Sequence, residues 1–187
     1  MTAARARDRY VAWLHAVNLG SHNKVPMAWL RDAAADAGFT EVATYLQSGN
    51  LVLSAPTRDP AEVSQRVAAV IHAGRGLDVV VTTRTRAEVA SVVQRNPMPE
   101  HADEPSKLHV NFLNGQPDRR AVASLDPDAF APDRFVFDGE EIYLWFPNGA
   151  GRSKLATYPW PKRIGVGGTA RNWRTVLAVL DLLDQAE

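Results

Sequence analysis

The chain has 187 residues, no cysteine, 22% charged side chains and a formal net charge of zero. Zero net charge gives the whole molecule no pull toward nucleic acid or anionic membrane, so only a local patch could supply one. The lack of cysteine excludes disulfides, thiolate metal sites and a cysteine nucleophile, while 45% hydrophobic content suffices for one sizeable core or two small ones.

The N-terminus is basic through Arg5, Arg7 and Arg9, but neither a signal-type apolar run nor a stretch of about 20 apolar residues follows. The expectation is a cytoplasmic protein with no membrane association. Tyr10 to Val17 reads as a first strand, and a polar loop runs from Asn18 to Lys24. Pro26 suits the first turn of a helix, where its missing N–H costs nothing. Met27, Leu30, Ala34 and Ala37 repeat at helical spacing, and Gly38 is a natural stop. Thr44 to Leu53 then forms a hairpin around Ser48-Gly49-Asn50, since glycine supplies the positive φ of a tight turn. Asp59-Pro60-Ala61-Glu62 is a helix start with a returning Glu, and Val63, Val67, Val70 and Ile71 make its buried stripe. Leu77 to Thr83 reads as a buried strand. Thr85-Arg86-Ala87-Glu88 is a second capping box, leading to Val89, Val92 and Val93. The order strand, helix, strand, strand, helix, strand, helix begins with the ferredoxin-like split βαβ unit.

Asn96-Pro97-Met98-Pro99 and Pro105 bracket an aperiodic stretch, which predicts a linker over 99–106 between subdomains 1–98 and 107–187. In the second half, Lys107 to Leu113 reads as a strand and Pro117 to Leu125 as a short helix. Arg134 to Phe137 and Glu141 to Phe146 flank Asp138-Gly139, a two-residue hairpin signal. A glycine-rich basic loop, Asn148 to Lys154, follows. Tyr158-Pro159-Trp160-Pro161 excludes a long helix, Lys162 to Val166 reads as a short strand, and a closing helix starts near Ala170 with Trp173, Val176, Leu177, Leu180 and Leu183 on one face. The expected fold is α+β: two packed ferredoxin-like, βαββ-type subdomains with mostly antiparallel sheets.

Four stretches carry a resemblance. Val17-Asn18-Leu19-Gly20 with Asn23-Lys24-Val25-Pro26-Met27, Thr44 to Asn50, Gly149 to Leu155, and Thr169 to Val176 together resemble a bacterial family of unknown function, DUF1697. His15 stands where that family's pattern carries Arg, and Ser21 where it carries a second Gly. The resemblance implies two ferredoxin-like subdomains and implies no activity.

Glycine-rich loops and helix starts present N–H groups that, with a nearby cation, can cradle an anion. Three loops have this character: Asn18 to Lys24, Asn148 to Lys154, and Gly165 to Asn172. The simpler reading is that they are caps and turns, which use the same residue types. If they converge with the Gln47-Ser48-Gly49-Asn50 corner, they form a polar cleft between the subdomains. Its ligand would be a small anion, a nucleotide or phosphorylated metabolite. The expected ligand-binding residues are Asn18, Asn23, Lys24, Gln47, Ser48, Asn50, Ser153, Lys154, Arg171 and Asn172. Gly165-x-Gly167-x-x-Ala170 is no dinucleotide fingerprint, because no strand with an acidic residue follows it, and Gly149 to Lys154 lacks the phosphate-loop spacing.

The five histidines show no metal-ligand spacing, Ser48 lacks a nucleophile context, and no catalytic constellation or cofactor is expected. Tyr143 and Trp145 share a strand face that could stack bases, but the missing RNP octamer and zero net charge argue against nucleic acid. The alternative to a ligand binder is an interaction module or homodimer, resting on Trp29 and Trp160 as an exposed apolar patch.

Overall fold

A computed structural model describes residues 8–20 and 23–185. Ser21 and His22 of the first polar loop, and the basic stretch through Arg7, lie outside the described residues. The chain divides into two compact units. One takes residues up to Ser91 together with those from Ala178 onward, and the other takes Val92–Leu177.

In the first unit the strands are β1 (Asp8–Leu14), β2 (Thr40–Tyr45), β3 (Asn50–Ala55) and β4 (Val81–Thr85), in the antiparallel order β2-β3-β1-β4. Strand alternation sets the core. Tyr10, Ala12 and Leu14 share a face with Leu51, Leu53 and Val81, and pack against Leu30 and Ala34 of α1 (Met27–Asp36) and Val63, Val67 and Ile71 of α2 (Pro60–Arg75). Each buried aliphatic side chain contributes about 1.5–3 kcal/mol. On the other sheet face Val11, Trp13, Val52, Ser54, Thr82 and Arg84 are buried as well. The edge strand β2 carries a register shift between Thr40 and Ala43, with Glu41 at φ +50°. Such a bulge twists an edge away from further pairing.

Asp59 caps α2 by accepting from Ala61 N–H at 2.8 Å, but Glu62 does not return to it; its carboxylate accepts from Thr57 Oγ1 at 2.6 Å. The second capping box forms in full. Thr85 N–H donates to Glu88 Oε2 at 2.7 Å and Glu88 N–H to Thr85 Oγ1 at 3.2 Å, starting α3 (Arg86–Gln94).

The second unit repeats the plan with β5 (Leu108–Leu113), α4 (Arg119–Ala123), β6 (Arg134–Asp138), β7 (Glu141–Trp145), α5 (Trp160–Ile164) and β8 (Gly168–Asn172), in the order β6-β7-β5-β8. Leu113, Ile142, Leu144 and Phe146 form its core with Leu155, Trp160 and Ile164. Phe130, Phe135, Phe137, Tyr158 and Trp160 add an edge-to-face aromatic cluster, centroids 4.7–5.9 Å apart. Helix α6 (Trp173–Asp184) closes the chain. Two α+β units, each an antiparallel four-stranded sheet with helices, are thus the architecture expected from the pattern of elements.

Several local expectations are corrected. Lys162 to Val166 is not a strand: α5 occupies Trp160–Ile164, with Pro161 accommodated in its first turn. Gly168–Asn172 is a strand rather than a loop or helix start, so the last helix begins at Trp173. The turn joining β6 to β7 is Gly139-Glu140, because Asp138 and Glu141 pair. Trp160 is a core residue, and Trp29 packs against α2, its ring over Gly74 with the Arg75 guanidinium 5.6 Å from its centroid. These tryptophans therefore form no exposed patch. Among the described residues no helix is long and apolar enough to cross a membrane.

One recognisable segment recurs in the two halves of the chain. Thr82-x-Arg84-Thr85 followed by Val89 and Val92 matches Thr169-x-Arg171-Asn172 followed by Val176 and Val179. Registers agree too: Arg84 pairs with Val11 and Arg171 with Val110, on equivalent strands. This is the signature of one structural unit used twice.

Candidate functional site

The polar corner of the first unit is built around Gly49. Its φ is +78°, and a Cβ there would lie 2.6 Å from Val17 Cγ2 and 2.7 Å from Leu14 Cβ, so only glycine fits. The Asn50 amide donates to Tyr45 O at 2.7 Å and Ser48 Oγ at 3.0 Å, closing the four-residue turn from inside. Asn18 ties the β1–α1 loop to this turn. Its Oδ1 accepts from Val25 N–H at 2.9 Å, and its Nδ2 donates to Val25 O at 2.9 Å and Gln47 O at 2.7 Å. Asn23 Nδ2 donates to Ala16 O at 3.3 Å. Ala16, Asn18, Asn23 and Leu46 all have positive φ, a strain of about 1 kcal/mol each that the network holds in place. Asn18, Asn23, Ser48 and Asn50 therefore take part in shaping the loops. Lys24 lies exposed beside them.

In the second unit the glycine-rich basic loop forms one wall of an open cleft of about 450 Å³. Gly149, at φ +81°, turns the chain after β7, with its N–H bonded to Phe146 O at 2.9 Å. A short 3-10 turn, Ala150–Arg152, follows. Ser153 is buried, its N–H donating to Ala150 O at 3.1 Å and its Oγ accepting from Ala156 N–H at 2.9 Å. That anchor leaves its neighbours Arg152 and Lys154 exposed on the cleft, together with Asn148. The facing wall is the segment entering β6: Ala129, Phe130, Ala131, Pro132 and Asp133. Asp126 caps the 3-10 turn Pro127–Phe130 by accepting from Asp128 N–H at 3.0 Å, and Asp133 N–H donates to Phe130 O at 2.9 Å. The Phe130 ring is half-buried against Phe135 and Tyr158. Asp133 is 9% exposed, and no described residue gives its carboxylate an ion pair or hydrogen bond.

Every residue of this cleft belongs to the second unit. Of the ten residues expected to bind ligand, Ser153 and Lys154 line it. Asn18, Asn23, Lys24, Gln47, Ser48 and Asn50 lie in the first unit. Arg171 and Asn172 lie in the second unit on β8, apart from the cleft lining. Arg171 is 7% exposed, with Nη1 donating to Thr169 Oγ1 at 2.7 Å and Ala170 O at 2.9 Å, and burial pushes its pKa down to about 10. Asn172 Oδ1 accepts from Thr175 N–H at 2.9 Å, capping α6.

Sequence reasoning missed Phe130 and Asp133 altogether, and gave Arg152 no role within its loop. Pro127 and Pro132 bracket their segment and mark a shaped loop, but no spacing reveals that one aspartate in it is buried. The rings of Tyr143 and Trp145 are buried; the Tyr143 hydroxyl donates to Val92 O at 2.8 Å, and His101 stacks on Trp145 at 3.8 Å between centroids. Among the described residues no three His, Asp or Glu side chains gather as metal ligands.

A family described as a protein of unknown function, DUF1697, matches residues 7–143. That span runs from β1 into β7 and stops before the basic loop. Among solved structures, a conserved bacterial protein, SP0830 from Streptococcus pneumoniae, superposes with a TM-score of 0.74 at 19% identity, over 95% of this chain and 99% of that one. At that identity the likeness is one of fold. No curated protein matches.

Proposed function

For a chain that belongs to the DUF1697 family, whose function is unknown, we propose the binding of a small anionic ligand, a nucleotide or phosphorylated metabolite, in the cleft of the second unit. The observation that carries the reading is the pair Arg152 and Lys154 on either side of buried Ser153, exposed on a cleft of about 450 Å³. An arginine fork pairs bidentately with phosphate oxygens, and a lysine adds a compact charge on a flexible stem. Anchoring Ser153 fixes the backbone between them, which lowers the ordering cost of bringing both cations to one ligand. The volume falls within the range of about 300–1,000 Å³ usual for small-molecule sites. Because the cleft is open, its electrostatics are screened, and affinity falls with added salt. The reading is one of binding and assigns no reaction.

A thermal-shift screen of nucleotides and phosphorylated metabolites, followed by calorimetry, tests it. A ligand at 100 times its dissociation constant adds about 2.7 kcal/mol of stability. Arg152→Ala and Lys154→Ala each weaken binding about tenfold while leaving the melting temperature of the free protein within about 2 °C. Silence across the panel, or hits indifferent to both substitutions, removes the proposal.

A second reading, self-association, rests on other residues than the tryptophans. Leu19 is 66% and Leu46 57% exposed, on the loop and turn that Asn18 ties together. Two copies meeting through these leucines would sediment as a dimer that Leu19→Ser with Leu46→Ser returns to monomer. A wild-type protein that sediments as a monomer at all concentrations rejects this reading.

A further inference from the structure

Resting on the anion-binding reading, we infer that Asp133 selects the ligand in the second-unit cleft, and that the ligand class is a guanine nucleotide. An ionised carboxylate is an acceptor only, with two oxygens in a fork. Where no protein donor reaches it, its oxygens are satisfied by water or by the donors of a ligand. Asp133 lines the cleft at 9% exposure, and no described residue pairs with its carboxylate, neither Arg152 nor Lys154 included. The cleft thus holds a double acceptor in one lining segment and two cations in the other. A ligand satisfying both must join an anionic group to a pair of adjacent N–H donors.

Among the common nucleobases only guanine offers such a pair, its ring N1–H beside the 2-amino group. Adenine and cytosine set an amino donor beside a ring acceptor, and uracil flanks its N–H with two carbonyls. The half-buried Phe130 ring and Pro132 give the same wall an apolar surface suited to a planar base. The base then sits toward Asp133 and the phosphate toward Arg152 and Lys154.

The test is calorimetric titration of the full chain with GMP, IMP, AMP, XMP, phosphoethanolamine and inorganic phosphate. Wild-type protein binds GMP at least about tenfold tighter than IMP, which lacks the 2-amino group, and tighter still than AMP, because a site built for donors leaves its acceptor unpaired when they are missing. This comparison needs no substitution and so does not depend on a variant folding. Asp133→Asn presents one donor and one acceptor, the complement of xanthine's N1–H and 2-oxo group, so it loses affinity for GMP and gains it for XMP. A gain of that kind cannot come from a damaged fold.

If GMP, IMP and AMP bind alike, in a manner sensitive to Lys154→Ala, the anion site stands and the role of Asp133 is overturned. If phosphoethanolamine outcompetes GMP, the carboxylate reads an ammonium and the guanine assignment is overturned. If no phosphate-bearing compound binds, both readings fall together.

Discussion

Arg171 and Lys24 carry the same charge in opposite circumstances. The guanidinium of Arg171 is buried and donates to Thr169 Oγ1 and Ala170 O, whereas Lys24 is exposed on a loop. Removing a buried hydrogen-bonded group leaves its acceptors in a dry site, so Arg171→Ala lowers stability by about 2–4 kcal/mol in urea denaturation. Lys24→Ala changes it by less than about 0.5 kcal/mol. Had Arg171 stood at an open ligand site, its loss would instead have spared the fold. His109 supplies a pH dependence. Burial pushes its pKa below the ordinary value, and a hydrogen bond with Lys107 O offsets part of that shift. The unfolded chain therefore takes up a proton near pH 6.5 that the folded chain refuses until lower pH. Stability is full above about pH 6.5, falls as the pH drops toward the folded pKa, and then levels off. Denaturation midpoints between about pH 8 and about pH 5 show this slope, and His109→Gln reduces it.

The elements themselves were legible wherever one residue type has one meaning. Thr85 and Glu88 sit three apart before an apolar stripe, and both halves of their capping box form. Thr85→Ala costs about 1 kcal/mol, and Glu88→Ala costs less when Thr85 is already gone, because the two bonds are one device; a double-mutant cycle by thermal denaturation measures the coupling. The first-half order of strands and helices was readable for the same reason, since periodicity, prolines and caps agree there. Legibility failed where context decides. Pro161 reads as a breaker, yet it occupies the first turn of α5. Residues 168–172 are glycine-led and polar, and become strand β8 only by register with β5. As for the cleft, its basic loop stood out by composition. Its other wall did not, because the burial of Asp133 is a property of what surrounds it and not of its neighbours in sequence.

On the scale of the whole molecule, the chain passes from one unit to the other inside helices. The division falls after Ser91 within α3 and after Leu177 within α6. The last turns of α6 thus belong to the first unit, where Arg9 Nη2 donates to Leu182 O at 2.7 Å and Arg86 pairs with Asp184 at 2.6 Å. A cation at a helix C-terminus complements the helix dipole. A chain ended after Leu177 accordingly loses stability in the first unit, with hydrogen-exchange protection falling in β1 and β4 while β5 and β7 keep theirs. Translation adds a temporal side to this arrangement. A ribosome releases residues in order, and domains ordinarily fold as they emerge, the N-terminal one first. Here the unit begun first is finished last: its sheet is synthesised early, but residues 178–184 follow only after all of the other unit. Nascent chains arrested just after Leu177 leaves the exit tunnel should resist protease across 92–177 and remain cleavable before Ser91, reversing the usual sequence of maturation.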